Sequence, residues 1–135
     1  MLQFRPGSHV HRLVTLLSVV GEYPVRSVHL LGNDRVYKAM IHKLTMQQRF
    51  RNSQTGTEMT CRLLTVTGAG ADKSIRLYKA ALPILEWIHP DALRYYLHAF
   101  WNHKFPGDAS HRQRNHRVAE AAAMCMRSGI EILPD

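Results

Sequence analysis

Residues 33–43, Asn-Asp-Arg-Val-Tyr-Lys-Ala-Met-Ile-His-Lys, divide at helical spacing into an apolar face and a basic face. A chain holding such a helix must build a core under one side and leave the other in water. Val36, Tyr37, Met40, Ile41 and Leu44 form the apolar stripe, and Arg35, Lys38, Ala39 and His42 fall opposite. Asn33 or Asp34 caps the first turn, and the helix is predicted to run to about Met46.

What flanks this segment narrows the fold. Ser8 precedes a stripe of Val10, Leu13, Val14, Leu17 and Val20 that Gly21 stops, which predicts a first helix over residues 8–20. Pro24 suits a first helical turn, and Val25, Val28 and Leu31 give a short second helix an apolar edge. The turn at residues 32–34 then leads into the basic helix, so the order is helix, turn, helix. Residues 48–52 and 59–66 follow as two predicted strands joined by a polar loop, Ser53 to Thr57, whose Gly56 permits positive φ. Phe50, Cys61 and Leu63 are predicted to face the helices and Arg49, Arg51 and Arg62 the solvent. The expected fold is α+β, mainly α: a winged helix-turn-helix with a two-stranded wing and additional C-terminal helices. Its domains are a winged-helix DNA-binding domain over 1–79 and a helical extension over 80–135, a dimerisation element or the start of a further domain.

Charge points the same way. The 135 residues carry 18 Lys and Arg against 10 Asp and Glu, a formal net charge of +8. Residues 1–67 hold nine basic and three acidic side chains, residues 68–135 nine and seven, so the excess lies with the basic helix and hairpin. A polyanionic partner accounts for that asymmetry, although a solvated basic face shows it too. A helix about 10 Å wide enters the major groove of double-stranded DNA. Arg35 is placed for a bidentate contact to guanine, Lys38 and His42 for bases or phosphate, and Ala39 for close approach or a thymine methyl. Arg26 and Lys43 suit phosphate, and Arg51, Asn52, Gln54 and Thr55 a backbone or minor groove, with Arg49 and Arg62 on phosphates.

Other chemistry finds less support. Thr67-Gly68-Ala69-Gly70-Ala71-Asp72-Lys73-Ser74 lacks the glycine spacing of a phosphate loop and predicts a flexible connection, with a short strand or a lead-in at 74–78. Pro83 opens a helix carrying Ile84, Leu85 and Ile88 that stops at His89-Pro90. A longer helix is predicted over 91–104 with Leu93, Tyr96, Leu97 and Phe100 on one face beside Trp101, a core stripe or a homodimer surface, and Pro106-Gly107 ends it. Ser110 with Gln113 is a capping box for a last helix carrying Val118, Ala121, Ala122 and Cys125 and stopping at Gly129. Of the nine histidines, His98 and His103, like His111 and His116, stand five apart and point about 140° away from each other. They do not chelate together, which leaves only a mixed site with Asp108 or Glu120. His9, His11 and His89 are read as surface or capping residues, and His29 as a neighbour of the DNA backbone.

No serine or cysteine nucleophile stands beside a base, and there are no paired carboxylates and no cofactor loop, so neither catalysis nor a cofactor or metal is expected. Cys61 and Cys125 lack metal-type spacing and are read as reduced thiols of a cytoplasmic protein. No apolar run is long enough to span a bilayer, and the N-terminus lacks the features of a secretory signal.

Three segments carry a family resemblance: His11-Arg12-Leu13-Val14, Leu63-Leu64-Thr65-Val66-Thr67-Gly68, and Arg114-Asn115-His116-Arg117-Val118-Ala119-Glu120. Together they resemble the replication-relaxation family of plasmid and conjugative-element proteins, over most of the chain. The resemblance implies an N-terminal winged helix, then a histidine-led helix and a strand, which here starts at residues 130–135. It also implies DNA binding in replication, relaxation or transfer of a mobile element, alongside other replication or transfer proteins; family members usually continue beyond that point. A transcriptional regulator with the same DNA chemistry, a metal-dependent nuclease using His, Asp and Glu of the C-terminal half, and a fold used for protein contacts are the alternatives.

Overall fold

Ser8 starts the first helix as its spacing predicts: its side chain accepts the amide of His11 at 3.2 Å, ahead of α1 (His9–Val20). Gly21, at φ 82°, takes the backbone turn that closes the helix and donates to the Leu17 carbonyl. The computed structural model describes residues 7–52, 54–100 and 109–133, with the backbone alone for 109–113. The capping box at Ser110 and Gln113, the side chain of His111, and Ser53, Trp101, His103, Asp108 and Pro106-Gly107 therefore lie outside the described residues or side chains.

The second helix differs from expectation. Glu22–Pro24 is a strand, β1, and residues Val25–Leu30 wind as a 3₁₀ helix. Pro24 ends an edge strand, where its missing N–H breaks no ladder bond. Ser27 leaves helical geometry, and its carbonyl is taken by the Tyr23 hydroxyl at 2.6 Å, so no α-helical ladder forms there.

The basic helix is α2 (Asp34–Leu44), capped by the Asn33 side chain, which accepts the Val36 amide at 3.1 Å. Tyr37, Ile41 and Leu44 are buried and Met40 is half-buried, whereas Val36 is 44% exposed. Tyr37 takes the place at the stripe's edge by packing on Gly32, where a Cβ would stand 2.8 Å from its ring. The helix stops two residues early because Thr45 and Gln48 bond the carbonyls of His42 and Lys43.

β2 (Gln48–Arg51) and β3 (Glu58–Cys61) pair antiparallel, Gln48 opposite Cys61 and Arg51 opposite Glu58. The second predicted strand does not run on to Val66. At Leu63 the amide donates to the Leu44 carbonyl (3.0 Å) and the carbonyl accepts from Tyr78 (2.9 Å), which turns the chain away from the hairpin. β4 (Leu64–Thr67) then pairs with β5 (Ser74–Leu77), and β1 adds to β5, giving a three-stranded antiparallel sheet in the order β1-β5-β4. The glycine-rich stretch read as a flexible connection is the link of this second hairpin and contains a 3₁₀ turn at Gly70–Asp72.

α3 (Leu82–Ile88), α4 (Pro90–Ala99) and α5 (Ala109–Arg127) complete a mixed α+β fold. Ile84, Leu85, Ile88 and Tyr96 are buried as predicted, while Leu97 is 37% exposed. The face of α5 is not the expected one: His116, Ala119 and Ala123 are buried, and Val118 is 57% exposed. Alanine fits either side of a helix, so the run of small residues gave no phase, and buried hydrogen bonds hold His116 inward. Residues 130–133 form no strand; Ile132 packs back on the core. One core joins Leu13, Leu16 and Leu17 of α1 to Tyr23, Ile75, Leu77, Tyr96, Ala119 and Ala123. Among the described residues no helix is long and apolar enough to cross a membrane.

Candidate nucleic-acid interface

The surface that α2 shows to solvent is built by its cap and its buried stripe. Fixing Asn33 at the start and Tyr37, Ile41 and Leu44 inward leaves Arg35, Lys38, Ala39, His42 and Lys43 exposed together. Lys38 pairs with Asp34 at 2.9 Å, an i,i+4 contact with both partners open to water. Such a pair is worth only a few tenths of a kcal/mol, roughly, so it does not hold Lys38 against a stronger anion. Among the described residues Arg35 and His42 form no ion pair.

The hairpin follows the helix's C-terminal end along the chain. Phe50 and Cys61 turn inward, and period-two alternation then puts Arg49 and Arg51 on the face shared by Glu58, Thr60 and Arg62. All five are exposed; Arg49 approaches Glu58 at 3.9 Å. Residues 33–62 carry six basic and two acidic side chains, a net +4. Gly56 adopts φ 75° in the loop, as predicted. The Asn52 carboxamide oxygen accepts the amides of Gln54 and Thr55, and Thr55 bonds Thr57, so Asn52 and Thr55 build the loop while Gln54 is exposed. Arg26 is exposed on the 3₁₀ helix that packs against α2. His29 is exposed too, and its carbonyl accepts from Arg127.

A serine beside an imidazole does occur, contrary to expectation, but away from this surface. Ser74 Oγ lies 2.8 Å from His116 Nε2, and Glu22 Oε1 lies 3.7 Å from the same nitrogen. Arg76 holds the other Glu22 oxygen at 3.1 Å, and Ser27 donates to Glu120 at 2.8 Å. Ser74, His116 and Glu22 are 0%, 1% and 2% exposed, and the carboxylate meets the nitrogen that already contacts the serine rather than the far side of the ring. A substrate has no way to this serine, and the carboxylate does not orient the imidazole as a relay requires. The cluster ties β1 and β5 to α5. Sequence reasoning missed it because β1 is three residues long; the usable signal is the opposite charge of Glu22 and Arg76, which are register partners.

Elsewhere burial pushes the Cys61 thiol and the Tyr37 hydroxyl up, Arg12 opposing the latter, and takes Tyr96 up to about 12 against the pull of Arg76. Both cysteines are free thiols. His89 caps α4, its Nδ1 accepting the Ala92 amide. Glu120 is engaged by Ser27, and among the described residues no three His, Cys, Asp or Glu side chains gather as a metal site. No protein-family model matches the chain, and no curated protein or solved structure matches it.

Proposed function

We propose that the chain binds double-stranded DNA as a winged helix, with α2 in the major groove and the β2–β3 hairpin on backbone or minor groove. The observation that carries this is the set of exposed cations Arg35, Lys38 and Lys43 on α2, with His42 exposed beside them, and Arg49, Arg51 and Arg62 on the hairpin that follows. They fall on the sides of α2 and of the hairpin away from buried Tyr37, Ile41, Leu44, Phe50 and Cys61, so the fold itself keeps the basic side chains in solvent. Helix, strand, short helix and basic helix follow in the order a winged helix uses, and β1 adds to β5 beside β4 as a winged helix adds its first strand to a hairpin. On that reading β4–β5 holds the sheet position of a wing, and β2–β3 is a further hairpin rooted at the end of α2.

The role proposed for this binding is replication, relaxation or transfer of a plasmid or conjugative element, a reading supported by the sequence resemblance to replication-relaxation proteins. Fluorescence anisotropy with duplex DNA at rising salt tests the binding. Affinity is expected to fall linearly on logarithmic axes. Lys38→Ala lowers the slope by about one, and Arg35→Ala costs about 1–3 kcal/mol and relaxes sequence preference. A salt-independent affinity, or one that neither substitution changes, overturns the reading. A footprint at an origin rather than at a promoter separates a replication or transfer role from transcriptional regulation.

A further inference from the structure

A cavity of about 190 Å³ lies between α1, the α3–α4 junction and the segment after α5, and no residue of α2 or of the hairpin lines it. Its polar side is His11, Arg12 and His89; its apolar side is Met126, Ile130 and Ile132. The two imidazoles stack with centroids 4.8 Å apart and planes 16° apart. His89 Nδ1 accepts the Ala92 amide at 3.3 Å, and His11 Nδ1 the Gly7 amide at 3.5 Å. With Nδ1 accepting, the neutral ring carries its proton on Nε2, so both rings are donors before either is charged. Two N–H donors and a guanidinium suit an acceptor that is negatively charged.

We propose that this cavity binds a small organic carboxylate whose apolar body is about the size of one ring. His11, His89 and Arg12 hold the carboxylate, and Met126, Ile130 and Ile132 take the body. The size follows from the volume: an apolar cavity of about 150 Å³ accepts benzene. Glu131 is the one carboxylate lining the cavity. A wider cleft of about 560 Å³ shares His89, Glu131 and Leu133 and adds Arg94, paired to Asp91, with Tyr95 and His98.

The pH dependence has a definite sign. Burial, with the neighbouring His89, holds His11 below its ordinary value, so His11 is neutral in the free protein at neutral pH. A bound carboxylate favours its protonated form, so binding takes up a proton and weakens as pH rises.

Thermal unfolding of the full chain with benzoate, without DNA, tests the site. The expected result is a saturable rise in Tm near pH 6 that shrinks by about pH 8. Benzyl alcohol, with the body but no charge, and acetate, with the charge but no ring, are expected to give none. His11→Phe keeps a ring in the stack and weakens benzoate by about tenfold or more. Ile132→Trp fills the cavity and abolishes the effect, and standing on the segment after α5 it provides a second variant independent of α1. No saturable rise with benzoate, an equal rise with benzyl alcohol, or undiminished binding in both variants overturns the proposal.

Discussion

Glu22 holds a carboxylate almost wholly out of water between Arg76 and His116, and that arrangement ties the local stability of β1 to charge balance. Removing one member of a buried pair leaves the other charge uncompensated, which costs more than the pair contributes. Arg76→Met is therefore expected to destabilise the protein by about 3 kcal/mol, read from the midpoint of urea unfolding, and adding Glu22→Gln is expected to restore part of the loss. A single variant within about 0.5 kcal/mol of the parent would show that water reaches Glu22. Asn33 and Glu22 also mark what a sequence reveals. A cap acts on amides two or three residues away, so Asn33 announces itself locally. Glu22 meets partners 54 and 94 positions along the chain, Arg76 and His116, and nothing near it in sequence records that.

The elements divide along the same line. α1 and α2 were legible because an i→i−4 ladder fixes the angle between neighbours, and distinct apolar and charged residues mark the phase. α5 was not, because four alanines at 119 and 121–123 fit either face. β1 is too short to show a period, and the single strand expected to Val66 is two, because Leu63 spends its backbone on α2 and on Tyr78. The β2–β3 hairpin has an inward side that supports the fold and an outward side that does not. Replacing Arg49, Arg51 and Arg62 together by Ala is expected to leave the far-ultraviolet circular dichroism unchanged and to reduce the salt slope of DNA binding by about two to three. An unchanged slope would take the hairpin out of the interface. Of the surface predicted from sequence, the cations of α2 and of the hairpin are all in solvent, whereas Asn52 and Thr55 are occupied in shaping the loop.

For the whole molecule, the core runs through both the part that carries the basic surface and the helices that follow it. Ala119 and Ala123 are buried, and α5 packs on α1 and β1, so α5 covers apolar surface that the rest cannot cover alone. Ending the chain at residue 108 is expected to abolish the cooperative thermal transition and to expose dye-binding apolar surface. A truncated chain that still unfolds cooperatively would show that the first part stands alone. The stripe along α4, read as core with a homodimer surface as the alternative, joins this core in part: Tyr96 is buried, Leu93 and Phe100 pack on it, and Leu97 is exposed.

The bond from the Leu63 amide to the Leu44 carbonyl has a further consequence. Residues 45–62 depart from the end of α2 and return to within one hydrogen bond of it, so the excursion is topologically self-contained. Lengthening such a loop adds only a logarithmic entropy term, about 0.6 kcal/mol for each doubling, and leaves unchanged the distance the remaining chain must bridge. With Phe50 and Cys61 kept as roots, the tip is a cassette whose length and charge can be changed while the frame around it stays the same.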